Sequence, residues 1–193
     1  MSGKIREAVA RLTEDIARNP QGAHTVFRVS TSATEGDRLM TKSEIRSFGV
    51  SMDEPRDLGG DDTAPNPVEM VLAALGSCQA IVYRAFAVAL GMDIRKIEVH
   101  AKGHLDLRGF LNMADVPAGF SNVTFTTRVV SPEPPERIRQ LAGLVEKHCP
   151  VMDTLQRPVA VRGKVELRSP HAPPGRSTEV VYETPLEAAG SQP

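Results

Sequence analysis

Residues 66–91 read NPVEMVLAALGSCQAIVYRAFAVALG, and this stretch decides the architecture. Asn66 is a good helix N-cap and Pro67 fits the first helical position. Glu69 stands three residues after Asn66, where it can close a capping box. Gly91 supplies a C-terminal stop. A helix over 67–90 spans about 36 Å. From Met70 to Leu90 it is apolar or small nearly all round, interrupted chiefly by Gln79 and Arg84. Such a helix belongs in the middle of a protein. Ala73, Ala74, Ala80, Ala85, Ala87 and Ala89 let another backbone approach closely. One small domain covers such a rod with difficulty, so an obligate homodimer is expected.

Upstream, residues 53–66 (DEPRDLGGDDTAPN) form a loop by composition. Residues 25–52 are expected to form a hairpin of two longish strands turning at Gly36-Asp37. Ile5, Val9, Leu12 and Ile16 recur at helical spacing, so 4–18 reads as an amphipathic helix, docked as an appendage and stopped by Asn19-Pro20.

Downstream, residues 95–108 alternate. Ile97, Val99, Ala101, Gly103, Leu105 and Leu107 share one face, and charged residues and His100 and His104 fill the other. After an irregular stretch over 109–119, residues 122–130 alternate again, with Val123, Phe125, Thr127 and Val129 together. A helix over 135–148 buries Ile138, Leu141, Ala142 and Val145 and is stopped by Pro150. A last strand over 158–168 is expected to turn Val159, Val161, Val165 and Leu167 inward. The order is α+β rather than a regular βαβ alternation. The expected layout is a helical extension over 1–20, a main domain over 24–168 and a flexible Pro-rich tail over 169–193.

The 193 residues are 40% hydrophobic and 24% charged, which excludes a wholly disordered chain. Lys and Arg number 23 against 24 Asp and Glu. That balance leaves no basic excess to grip nucleic acid or clamp a membrane surface. No run reaches 18 apolar residues, and the charged N-terminus does not read as a signal peptide, so the expected compartment is the cytoplasm. Two cysteines do not make a disulfide scaffold.

Those cysteines carry two readings each. Cys78 lies mid-helix with Val71, Ala74, Leu75, Val82 and Ala85 as near-face neighbours, the setting of a buried small hydrophobe. An apolar setting raises a thiol pKa, so a reactive Cys78 needs a cation brought by another segment. Cys149 closes the second helix in Lys147-His148-Cys149-Pro150. The carbonyl end of a helix disfavours a thiolate, so Cys149 is either a packing residue or a group that attacks second. No ligand spacing points to a metal: His100 and His104 stand about 13 Å apart along one strand. No nucleotide-binding glycine loop is present.

The loop and helix from DEPRDLGG to GSC, followed later by KHCPVMDTL, resemble the OsmC/Ohr family of thiol-dependent hydroperoxide reductases. The resemblance covers roughly residues 24–168. It implies long central helices wrapped by antiparallel sheets in an intertwined homodimer. It implies that Cys78 attacks an organic hydroperoxide, that Cys149 resolves the product as a disulfide, and that an external dithiol, of lipoyl type or similar, regenerates the pair. No metal or other cofactor is implied. Family members set an Arg of the N-terminal hairpin beside the reactive thiol, and often a Glu directly after the helix-starting Pro. Here that position is Val68 and the carboxylate is one residue later, at Glu69, where a helix cap is an equal reading. Arg38, beside the hairpin turn, best matches the Arg; Arg46 and Arg56 are the alternatives. A different reading of the same dimer is a non-catalytic protein that binds a small apolar ligand or partner.

Overall fold

The computed structural model describes residues 3–33, 35–168 and 179–185. The chain divides into two compact units, residues 1–155 and 156–193.

In the first unit, α1 (Gly3–Arg18) precedes a three-stranded antiparallel sheet of β1 (Ser30–Ala33), β2 (Thr41–Ile45) and β3 (Phe48–Met52) in that order. Three strands replace the expected two because a tight turn at Arg46-Ser47 breaks the second run, with Arg46 at φ 56°. The break was hidden because no Gly, Asn or Pro marks it. Thr31 and Ser43 share a hydroxyl hydrogen bond of 2.8 Å across β1 and β2.

The long helix α2 spans Pro67–Ala89. Its capping box is formed on both sides: Asn66 Oδ1 accepts from the Glu69 N–H at 2.8 Å, and Glu69 Oε2 accepts from the Asn66 N–H at 2.9 Å. α2 packs against β4 (Lys96–Leu105) and α4 (Pro135–His148). A short helix, α3 (Leu107–Phe110), stands where the end of the strand and the start of irregular chain were expected, N-capped by Asp106, whose carboxylate accepts from the Arg108 N–H. β5 (Phe120–Val130) then pairs antiparallel with β4 from Lys96↔Val130 to Leu105↔Phe120. The expected alternation holds in β5, where Val123, Phe125, Thr127 and Val129 are its inward row. Tyr83, Ala87, Met92, Ile94, Leu141 and Val145 make the buried core, with Val82, Phe86, Ile97, Val129, Ile138 and Ala142 packed on it.

Only Leu75, Gln79, Tyr83 and Ala87 of α2 are buried, and Ile81 is 68% exposed. By length and composition α2 is apolar enough to cross a membrane. Core helices share that character, and the packing on β4 and α4 gives it a core face here.

α4 ends at His148, as the stop at Pro150 predicts, but helical structure resumes at once. Pro150 opens α5 (Pro150–Gln156), as proline at a first helical position does. In the second unit β6 is only Lys164–Leu167, and it pairs with β7 (Glu179–Glu183). The expected inward row is corrected: Val159, Val161, Val165 and Leu167 are all exposed, because the two short strands have no second layer among the described residues of this unit. Of the expected flexible tail, 179–183 is strand, while 169–178 and 186–193 lie outside the described residues.

Candidate active site

The site begins with an elbow between two helices. α4 ends at His148, Cys149 leaves helical geometry at φ −81° and ψ 110°, and Pro150 restarts the chain as α5. The elbow turns Cys149 fully inward, at 0% exposure, and brings Met152 of α5 to Gln79 of α2. The His148 ring rests 5.5 Å from the Phe86 ring of α2, centroid to centroid.

Three contacts join this elbow to the middle of α2. The Cys149 thiol and the Val151 N–H both stand close enough to the Cys78 sulfur to influence its ionisation. One residue on, Gln79 Nε2 donates to Met152 Sδ at 3.1 Å. Cys78 itself is half-buried and both cysteines are free thiols.

Burial is the largest influence on the Cys78 thiol and pushes its pKa up; the Val151 N–H pulls it down, and Cys149 pushes it up again. The net direction is upward. Among the described residues, the groups acting on this sulfur include no cation. The single chain therefore meets the condition set by the sequence only in part: the second thiol is present and the activating charge is not.

The other candidate residues stand elsewhere. Arg38 is exposed, its Nε 3.8 Å from Asp61 Oδ2. Arg46 lies over the Phe48 ring at 5.2 Å in the β2–β3 turn. Arg56 opens a single 3₁₀ turn, Arg56–Leu58, in the loop before α2. Glu69 is engaged in the capping box with Asn66.

The loop itself is held by a residue that the sequence reading passed over. Asp53 is 2% exposed. Its Oδ1 accepts from the Glu54 N–H at 2.9 Å, and its Oδ2 accepts from the Thr63 N–H and hydroxyl at 3.0 and 2.8 Å. The Thr63 bonds, with the backbone donors, hold this carboxyl below the usual aspartate range. Opposite, the Asp62 N–H donates to the Glu54 carbonyl at 3.2 Å, and Gly60 packs so tightly on that carbonyl that no Cβ fits. The closed loop delivers the buried Asn66 to the start of α2. The available signal was an Asp at the end of a strand with a Thr across the loop, a pattern common to many turns. Val151 and Met152 were equally hidden, because Cys-Pro reads as a stop until the chain beyond it is seen to restart.

Residues 59–164 match the OsmC-like protein family. A curated relative, the hydroperoxide reductase of Mycoplasma genitalium, is 28% identical over 90 residues, which is 47% of this chain and 61% of that protein. The chain thus spans less than two thirds of that relative's length. Among solved structures, an OsmC-like protein from Mycoplasma pneumoniae superposes with a TM-score of 0.58 at 20% identity, covering 68% of this chain and 88% of its own. An organic hydroperoxide resistance protein OsmC from Legionella pneumophila gives 0.53 at 16% identity, with 69% and 92% covered. One from Elizabethkingia anophelis gives 0.53 at 18% identity, with 68% and 90% covered. These likenesses fix the fold, and the family match spans more than half the chain: the protein belongs to the OsmC-like family.

Proposed function

We propose that this chain reduces organic hydroperoxides through a two-cysteine cycle. The observation that carries the reading is the approach of Cys149 to Cys78, which puts a second thiol beside the one on α2. The names of the Mycoplasma genitalium and Legionella pneumophila relatives point to the same substrate class. The Cys78 thiolate attacks one peroxide oxygen and the O–O bond breaks. The alkoxide takes a proton and leaves as the alcohol, and Cys78 becomes a sulfenic acid. Cys149 then attacks that sulfur, its proton leaving with the hydroxyl as water, and a Cys78–Cys149 disulfide forms. An external dithiol of lipoyl type returns two electrons and two protons. The reducing compartment this needs agrees with the cytoplasm expected from the sequence.

The missing cation is supplied, in this reading, by a second copy. The β1–β3 sheet packs extensively on no other helix or strand among the described residues, and α2 leaves Ile81, Val68 and Val71 uncovered. Both features suit an intertwined homodimer, in which Arg38 or Arg46 of the second copy reaches Cys78. Glu69 then acts as a cap for α2 rather than as a partner of that arginine.

The test is a thiol count and an intact mass before and after one equivalent of cumene hydroperoxide. Loss of both thiols with a mass drop of about 2 Da is expected. The Cys149→Ser protein should instead gain about 16 Da, the sulfenic acid on Cys78. Unchanged thiols overturn the cycle. They would favour the non-catalytic reading, a dimer that binds a small apolar ligand or partner, for which the raised Cys78 thiol already speaks.

A further inference from the structure

Gln79 is out of place by ordinary packing rules. It lies on the core stripe of α2 with Leu75, Tyr83 and Ala87, and it is 1% exposed. Its Nε2 has a weak acceptor, the Met152 thioether, and its Oε1 is buried with no partner among the described residues. A buried amide oxygen without a donor costs stability, whereas a leucine or methionine there would leave nothing unpaired. The residue is therefore poorly explained as a stabiliser of the core.

Its neighbours explain it better. Cys149, Val151 and Met152 come from one short elbow, and Cys78 and Gln79 are consecutive on α2. Cys149 and Val151 meet Cys78, while Met152 meets Gln79. α5 begins only at Pro150, so the contact at Met152 falls in its first turn, next to the donor that reaches the sulfur. We propose that Gln79 is a positioning residue: by holding Met152 it fixes the first turn of α5 on α2 and so keeps the Val151 N–H aimed at the Cys78 sulfur. The Val151 hydrogen bond favours the thiolate, so a loosened α5 leaves Cys78 less reactive. Among the described residues, the other titratable group that acts on this sulfur is the Cys149 thiol. The inference rests on the reading of Cys78 as the reacting thiol.

The experiment measures the rate of Cys78 alkylation by iodoacetamide against pH, read by peptide mass, in the full chain. The proteins are wild type, Gln79→Leu, Met152→Leu and the double variant, each with a thermal melt. Each single variant should move the Cys78 midpoint up by about half a pH unit, a roughly threefold loss of rate near neutral pH. The double variant should move it no further, because both changes cut the same tie. Gln79→Leu should melt no lower than wild type. Unmoved midpoints, or shifts that add in the double variant, overturn the proposal. So does a Gln79→Leu protein that melts lower with its midpoint unmoved, since that is a packing role. Peroxide consumption is followed in parallel: coupled midpoint shifts in a protein that consumes no peroxide would uphold Gln79 and sink the peroxidase reading.

Discussion

Cys149, at the end of α4, stands close enough to Cys78 in the middle of α2 to make that thiol harder to ionise. Removing the second sulfur should therefore make the first more reactive toward an alkylating agent, even as it abolishes the disulfide. In Cys149→Ala, the Cys78 midpoint should fall while staying above that of an ordinary thiol unless a second copy supplies a cation, because burial is the larger influence. Iodoacetamide rates at pH 8 check this. A slower or unchanged rate would mean that the two thiols do not influence each other.

Asp53 gives the fold a defined acid sensitivity. Its carboxyl titrates below its ordinary value of 3.8 in the folded chain, so it contributes stability that is fully present above that value. That contribution is lost as pH falls through the lower, folded-state pKa. Asp106, drawn down to about 2 chiefly by its hydrogen bonds with Arg108, adds to the same window. Urea midpoints of Asp53→Asn should fall below wild type at pH 7 and converge with it as pH falls through the lowered, folded-state pKa of Asp53. A constant difference across that range would remove Asp53 from the account.

Gly60 is fixed by contact rather than by dihedral angle. A Cβ there would sit inside the contact distance of the Glu54 carbonyl, which is backbone and cannot swing aside. Gly60→Ala should cost about 3 kcal/mol in urea denaturation. A loss under about 0.5 kcal/mol would show that the loop relaxes freely.

Glu69 separates two roles cleanly. Glutamine can also close a capping box, so Glu69→Gln should keep both its melting temperature and its peroxide consumption. Asn66→Ala should cost about 1 kcal/mol of stability, the usual worth of an N-cap. A more than tenfold loss of peroxide consumption in Glu69→Gln, at unchanged melting temperature, would return Glu69 to the reactive site.

Ile81 tests the second copy. It projects from the most apolar helix of the chain and is largely exposed within it. Sedimentation should find wild type as a dimer and Ile81→Lys as monomer, because a buried unpaired ammonium is costly. A dimer in both would place the interface elsewhere.

Much of the architecture was present in the sequence because it rests on local chemistry. Asn66, Pro67 and Glu69 start α2 through bonds that they make to one another, and the period-two rows of β4 and β5 follow from the pleat. The family motifs marked Cys78 and Cys149 for the same reason, as short patterns at fixed positions. The rest depended on residues that are distant in sequence. The turn at Arg46 carries no Gly, Asn or Pro, and Val159 to Leu167 alternate without a layer to face among the described residues. The approach of the two sulfurs, the aim of the Val151 N–H and the unpaired oxygen of Gln79 exist only because the Cys149-Pro150 elbow folds α5 back onto α2. Local bonding set the elements, and long-range packing decided which side chains share a site.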